Sequence, residues 1–337
     1  MRRAARIAAW TVAALVALIL ATAGGILVAG NTAGGRVLIE RWTARLTKGH
    51  VLISGLAGSL PSAIDVGELA LSDDRGVWLT AQGISLRWSP LHFVAWDVRA
   101  RSLHVARLDM VRLPITNPSP SSGGNVTVPR IDVGQFSIDA LVLEPALAGT
   151  RTSLAVRGSA HLESLEDATG SVTVHRTDGN GDYELALHFD RSRMDARLRL
   201  EEPASGPLEH LVQLPGLGAL DVTASLEGPR TAERIELRGR VGNLSASAQG
   251  TVDLERRSAE LDYSLDSAAI APRPGLAWRS VSLRGKWHGP LTGPQASAHL
   301  LVDGLEIPGH VELEMLDASL GATGGALTLH ASASGLV

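Results

Sequence analysis

The sequence predicts a mainly β protein, with one N-terminal transmembrane helix followed by an elongated antiparallel-type repeat sheet. Three observations lead there. Residues 7–30 carry no charge, and from Val51 onward apolar and polar residues alternate with period two. The chain of 337 residues is 45% hydrophobic but only 4% aromatic, with 36 Gly and 16 Pro. Such a composition suits many short strands built from Ala, Val, Leu and Ile and joined by turns, and it is too hydrophobic for disorder.

The membrane helix comes first. Ile7 to Gly30 reads IAAWTVAALVALILATAGGILVAG. As a helix this run spans about 36 Å, enough for a hydrocarbon core of about 30 Å. Ile7, Trp10, Leu15, Leu18, Leu20, Ile26 and Val28 are its anchoring side chains, and Arg2, Arg3 and Arg6 hold the short tip (residues 1–30 with the span) in the cytoplasm of a bacterial inner membrane. The body then lies in the periplasm. A cleaved signal peptide with Ala21-Thr22-Ala23 as its processing site is the rival reading. The apolar run continues for seven residues past that site, which favours an uncleaved anchor.

Residues 31–50 form a juxtamembrane segment. In RVLIERWTARLTK (36–48), Leu38, Ile39, Trp42 and Leu46 share a helical face, with Arg36, Glu40, Arg45 and Lys48 around the rest. Two readings stay open: a helix capping the first strands, or a helix on the outer leaflet with Trp42 at headgroup depth. Through His50, seven basic residues oppose Glu40 alone, a net +6, leaving −10 for the rest of a chain whose net charge is −4. An acidic body lacks the extended basic face of a nucleic-acid binder.

Strands fill the remainder, about 20 by the alternation template: a first section over 51–118, a polar linker at 119–124 (PSSGG with its preceding Ser), and a repetitive section over 125–337. Ile84, Leu86 and Trp88 alternate with Ser85 and Arg87, and Tyr183, Leu185, Leu187 and Phe189 with Glu184, Ala186 and His188. Met194 to Leu200, Leu220 to Leu226, Ala259 to Leu265, Val281 to Trp287 and Ala296 to Val302 repeat the pattern. Only Leu208 to Leu214, between two prolines, suggests two turns of helix, so the pattern argues against βαβ units. Leu226-Glu-Gly-Pro229 recurs 61 residues on as Trp287-His-Gly-Pro290, each leading into a strand, a repeat of about four strands.

Chemistry is sparse. With no Cys there is no disulfide, thiolate metal site or cysteine nucleophile. The eleven His include no HxxxH or HExxH pair, and His104, His175, His188 and His299 fall on the polar phase of strands. Asp178-Gly-Asn-Gly-Asp182 has the opening spacing of a calcium loop, but Phe189 occupies the place of the distal Glu, so a hairpin turn is the better reading. Phosphate-binding loops and a nucleophile elbow are absent, and Asp132, Asp139 and Glu144 are spaced as solvated carboxylates. The expectation is a non-enzymatic protein without cofactor or metal.

The apolar phase still needs a cover. Either two faces close into a dry core, or the sheet curls into an open groove, free of aromatic plugs, that guides an acyl chain or an unfolded strand. About 20 strands would stack to on the order of 100 Å. The candidate groove residues are Leu185, Leu187, Leu198, Leu200, Leu261, Leu265, Leu283 and Leu300. A scaffold that pairs client β-strands, and a secreted adhesive or polysaccharide-binding array released after Ala23, are the alternatives.

The order of motifs resembles the TamB family, the inner-membrane subunits of the translocation and assembly module, within the AsmA-like bridging superfamily. The resemblance rests on Gly55 to Gly58, Leu69 to Asp73, Gly76 to Leu79 and Leu86 to Pro90, in that order behind an anchor, and on the later GPLTGPQASAHLLVDGLEIPG unit. It implies a β-taco with a hydrophobic groove, phospholipid movement toward the outer membrane, and assembly of outer-membrane protein and autotransporter clients with a barrel partner, TamA. Family members continue into a C-terminal domain that engages the barrel, so this chain reads as the first part of a longer protein.

Overall fold

A computed structural model describes residues 31–89, 97–114, 130–164, 166–211, 218–273, 276–293, 295–307, 311–323 and 326–335. The anchor positions Ile7 to Val28, the topology residues Arg2, Arg3 and Arg6, and the linker 119–124 lie outside these residues. Among the described residues no helix is long and apolar enough to cross a membrane.

Period-two alternation becomes strands throughout, nineteen among the described residues. They are β1 (Val51–Ser54), β2 (Ala63–Asp73), β3 (Gly76–Trp88), β4 (Asp97–Met110), β5 (Arg130–Leu143), β6 (Thr152–Ser164), β7 (Asp167–Arg176), β8 (Asp182–Phe189), β9 (Arg193–Glu202) and β10 (Leu220–Pro229). Next come β11 (Glu233–Val241), β12 (Leu244–Asp253), β13 (Ser258–Ser267), β14 (Ile270–Arg273), β15 (Leu276–Trp278), β16 (Ser280–Pro290), β17 (Gln295–Ile307), β18 (Val311–Thr323) and β19 (Ala326–Ser334). Helix α1 (Ala33–Leu46) precedes them, and α2 (Pro145–Ala148) and α3 (Pro207–Leu211) are single turns opened by proline. The chain divides into two units, residues 1–125 with 132–141, and residues 126–131 with 142–337.

In the first unit β1, β2, β3 and β4 form an antiparallel ladder, and His104 of β4 meets the Ser137 hydroxyl of β5 at 3.0 Å. Aliphatic residues occupy one phase: Ile64, Leu86 and Leu103 stand opposite one another, as do Leu69, Ala81 and Leu108. The apolar phase shifts from odd to even positions between Ala81 and Ile84. Gly83 stands at that step with φ 63°, and a Cβ there would lie 2.8 Å from the Ala106 Cβ. The left-handed backbone breaks the alternation at one residue, and only glycine has both the conformation and the room. On the polar phase Arg87 and the Ser85 hydroxyl both reach the Asp65 carboxylate, at 2.8 Å each; these bonds, Arg87 foremost, hold the Asp65 carboxyl below the usual range.

Thr32 caps α1, its hydroxyl accepting from the Gly35 amide at 3.2 Å. The helix ends at two left-handed residues, Lys48 and Gly49. It rests on the strands through its polar side. Arg36 donates to the Gly58 carbonyl and the Glu40 carboxylate accepts from the Leu56 amide, both at 2.9 Å.

The second unit is one antiparallel ladder in near-sequential order, from β6 to β13 and then β16 to β19. The short hairpin β14–β15 steps out between β13 and β16, so those two strands pair directly. The 61-residue repeat has an exact structural counterpart in register: Leu226 stands opposite Ile235, and Trp287 opposite Ala296. Each repeat contributes four ladder strands, β10 to β13 and β16 to β19. The ladder does not close on itself; among the described residues β19 pairs only with β18, and it is exposed along its whole length.

Candidate functional site

Residues directly opposite in an antiparallel ladder point to the same face, so the registers assign every side chain of the second unit to one side. One row crosses all twelve ladder strands: Gly158, Val172, Leu185, Leu198, Ala224, Leu237, Ala248, Tyr263, Gly285, Ala298, Leu320 and Leu329. A parallel row runs through Leu187, Ala196, Leu226, Ile235, Gly250, Leu261, Trp287 and Ala296. A third runs through Tyr183, Leu200, Val222, Gly239, Ala246, Leu265, Leu283 and Leu300. All eight leucines singled out in the sequence therefore lie on one face, spread over these three adjacent rows.

The opposite face is polar along the same strands. Arg197, Ser225, Glu236, Gln249, Asp262, Lys286 and Ser297 make one of its rows. Here Arg197 meets Glu227 at 2.8 Å and Lys286 meets Asp262 at 3.4 Å. His175 and His299 sit here too, beside Asp182 and Asp317. Exposed pairs of this kind add little stability and serve solvation. A hollow of about 450 Å³ lies among the charged-face residues Glu184, Arg197, Arg199, Thr223 and Arg238, with Leu185 and Leu198 also in its lining.

Burial separates an open groove from a sealed sandwich. Two sheets packed face to face would take the central rows out of water. None of the residues named in these three rows is fully buried; Leu198, Leu200, Leu261, Leu265, Leu283 and Leu300 are half-buried and Leu185 is 40% exposed. Three rows at two-residue spacing over twelve strands make an apolar strip of roughly 14 by 50 Å, or about 700 Å². Soluble monomers rarely expose so large a contiguous patch unless it binds something.

The strip carries three aromatics of the alternating apolar phase, Tyr183, Tyr263 and Trp287, where a groove free of aromatic plugs was expected. Tyr263 does not stand across the strip. A Cβ on Gly285 would fall 2.3 Å from its ring, so the ring lies over the bare glycine backbone. The eight candidate leucines leave out the short members of the same rows, such as Ala224, Ala246, Ala248 and Ala298. Their place in the alternation, rather than their size, is the signal that marks them.

One margin of the strip holds Glu233, opposite Val252 and, beyond it, Ala259. It is 0% exposed and neither carboxylate oxygen has a hydrogen-bond partner. Burial pushes its carboxyl above the usual range, with Arg230 opposing in part. A raised pKa makes ionisation cost more in the folded chain. This contribution to stability is complete below the ordinary value near 4.5 and is lost as pH rises through the folded value. Glu233→Met is expected to stabilise the chain by about 1–3 kcal/mol at pH 7, and to remove that part of the pH dependence, as read by urea unfolding across the pH range. At the opposite margin, at the far end of β9, the buried Glu202 accepts from the Leu208 amide at 3.1 Å, tying α3 to the ladder.

Among the described residues no group of three or more His, Asp or Glu is placed to hold a metal ion. The second unit is an open sheet with one continuous apolar face and one charged face, an architecture that fits a bridge-like lipid-transfer protein. The chain belongs to the YdbH-like family, whose model, described as intermembrane phospholipid transport protein YdbH, matches residues 20–334. No curated protein and no solved structure matches the chain. The resemblance to bridging lipid-transfer proteins thus holds at that level. Membership of the TamB family is not confirmed, and TamA, autotransporter assembly and outer-membrane clients gain no support.

Proposed function

We propose that this chain is a non-enzymatic conduit that carries phospholipid between membranes, with acyl chains lying along the three apolar rows and headgroups remaining in water at the open side. Residues 7–30 anchor it in the inner membrane and the strands extend into the periplasm. The observation that carries this reading is the unbroken apolar strip across twelve strands, left half-exposed rather than sealed. Leu185, Leu187, Leu198, Leu200, Leu261, Leu265, Leu283 and Leu300 are the proposed lipid contacts. Small aliphatic side chains suit mobile tails, because they offer apolar area without fixing one ligand shape.

A photo-crosslinking residue at Leu198 or Leu261 is expected to capture phospholipid in cells, and one at Thr223, on the charged face, is not. Absence of lipid adducts at both apolar positions, in a chain expressed at the normal level, would sink the proposal. Protein adducts along the exposed edge strand β19 would instead favour a scaffold that pairs with client strands.

A further inference from the structure

Helix α1 presents its sides in the reverse of the usual order. Its polar side faces the protein: Arg36 and Glu40 are hydrogen-bonded to the backbone of Gly58 and Leu56, and Thr43, Ala44 and Thr47 are half-buried beside them. Its apolar side faces away. Leu38, Trp42 and Leu46, one turn apart along a single stripe, are 52%, 58% and 79% exposed. A helix covered only by its own domain would turn these three inward.

The charges around the stripe indicate what covers it. Arg41 and Arg45 border it, and among the described residues neither has an ion-pair partner. The one acid of the helix, Glu40, is turned to the other side. The outward half of α1 is therefore apolar at its centre and purely basic at its edge. It follows directly on the 24 uncharged residues 7–30. A basic-edged stripe with a central Trp matches the interface of an anionic bilayer, where the indole sits at headgroup depth and guanidinium groups reach phosphate.

We infer that α1 lies flat on an anionic phospholipid surface, with Leu38, Trp42 and Leu46 inserted and Arg41 and Arg45 on the lipid phosphates. This holds the start of the sheet against the membrane and does not depend on whether the apolar rows carry lipid.

The chain has no cysteine, so a single introduced one is a unique label site. The three stripe side chains are already exposed, and replacing them leaves the packing of the strands intact. Full-length chains with Leu38→Cys, Trp42→Cys or Leu46→Cys, each carrying an environment-sensitive fluorophore, are reconstituted in phosphatidylcholine vesicles with and without phosphatidylglycerol. Brominated lipid is expected to quench all three labels, more strongly with phosphatidylglycerol, and to spare a label at Asp74→Cys in the exposed β2–β3 turn. Arg41→Glu with Arg45→Glu is expected to weaken the quenching roughly fivefold or more. Labels as open to aqueous iodide as the one at Asp74 would overturn the inference. So would labels shielded from iodide yet untouched by brominated lipid, since a protein partner would then cover the stripe.

Discussion

Replacing Leu198 by glutamate is expected to lower phospholipid flux at least tenfold, while Thr223→Glu on the opposite face changes it little. Leu198 stands between Leu185 and Ala224 near the middle of the apolar strip. A tail sliding past a carboxylate there must either strip water from the charge or leave the strip. Either route adds on the order of 1.4–3 kcal/mol to the local barrier, and about 1.4 kcal/mol is a factor of ten in rate. The fold tolerates the change because the site is half-open and the carboxylate can turn to water at the mouth of the groove. Thr223 lies opposite Arg199 on the exposed charged face, where one more carboxylate joins existing ion pairs. Flux is read as the rate at which pulse-labelled phospholipid reaches the outer membrane in cells that rely on this chain, with a urea midpoint for each variant. Equal flux in the two variants and the parent would refute conduction along the strip.

Much of this strip was legible in the alternation alone. Leu185, Leu198, Leu261 and Leu283 fall on the apolar phase of their own strands, and the Gly-Pro repeat at 228 and 289 already marks a four-strand unit. Which phases share a face depends on register, which no single strand encodes. It is set by turn lengths between neighbours and by the excursion of β14–β15, which lets β13 pair with β16. The phase step at Gly83 is invisible to a period count, since it depends on one residue taking a left-handed backbone. The lying ring of Tyr263 depends on a glycine 22 positions away in sequence. The orientation of α1 was undecided for a similar reason. Its stripe is clear from Leu38, Trp42 and Leu46, but which side meets the strands is fixed by Gly58 and Leu56, backbone groups of a loop.

Combining Leu185→Glu with Leu300→Glu is expected to give about half the flux of the slower single variant, and not the product of the two losses. Leu185 is on β8 and Leu300 on β17, with six ladder strands between them, or roughly 34 Å along the ladder. Groups so far apart do not touch, so their energetic effects would add and their fold-changes multiply if both acted on one binding equilibrium. Two losses of about tenfold would then give about a hundredfold. Passage along one conduit obeys a different rule. Each charge is a barrier that every lipid crosses in turn, crossing times add, and two equal barriers halve the rate set by one. The comparison separates a continuous path from a set of independent sites on the same apolar face. A hundredfold loss in the double variant, with unfolding midpoints unchanged, would show that the strip stores lipid at separate positions instead of passing it from strand to strand.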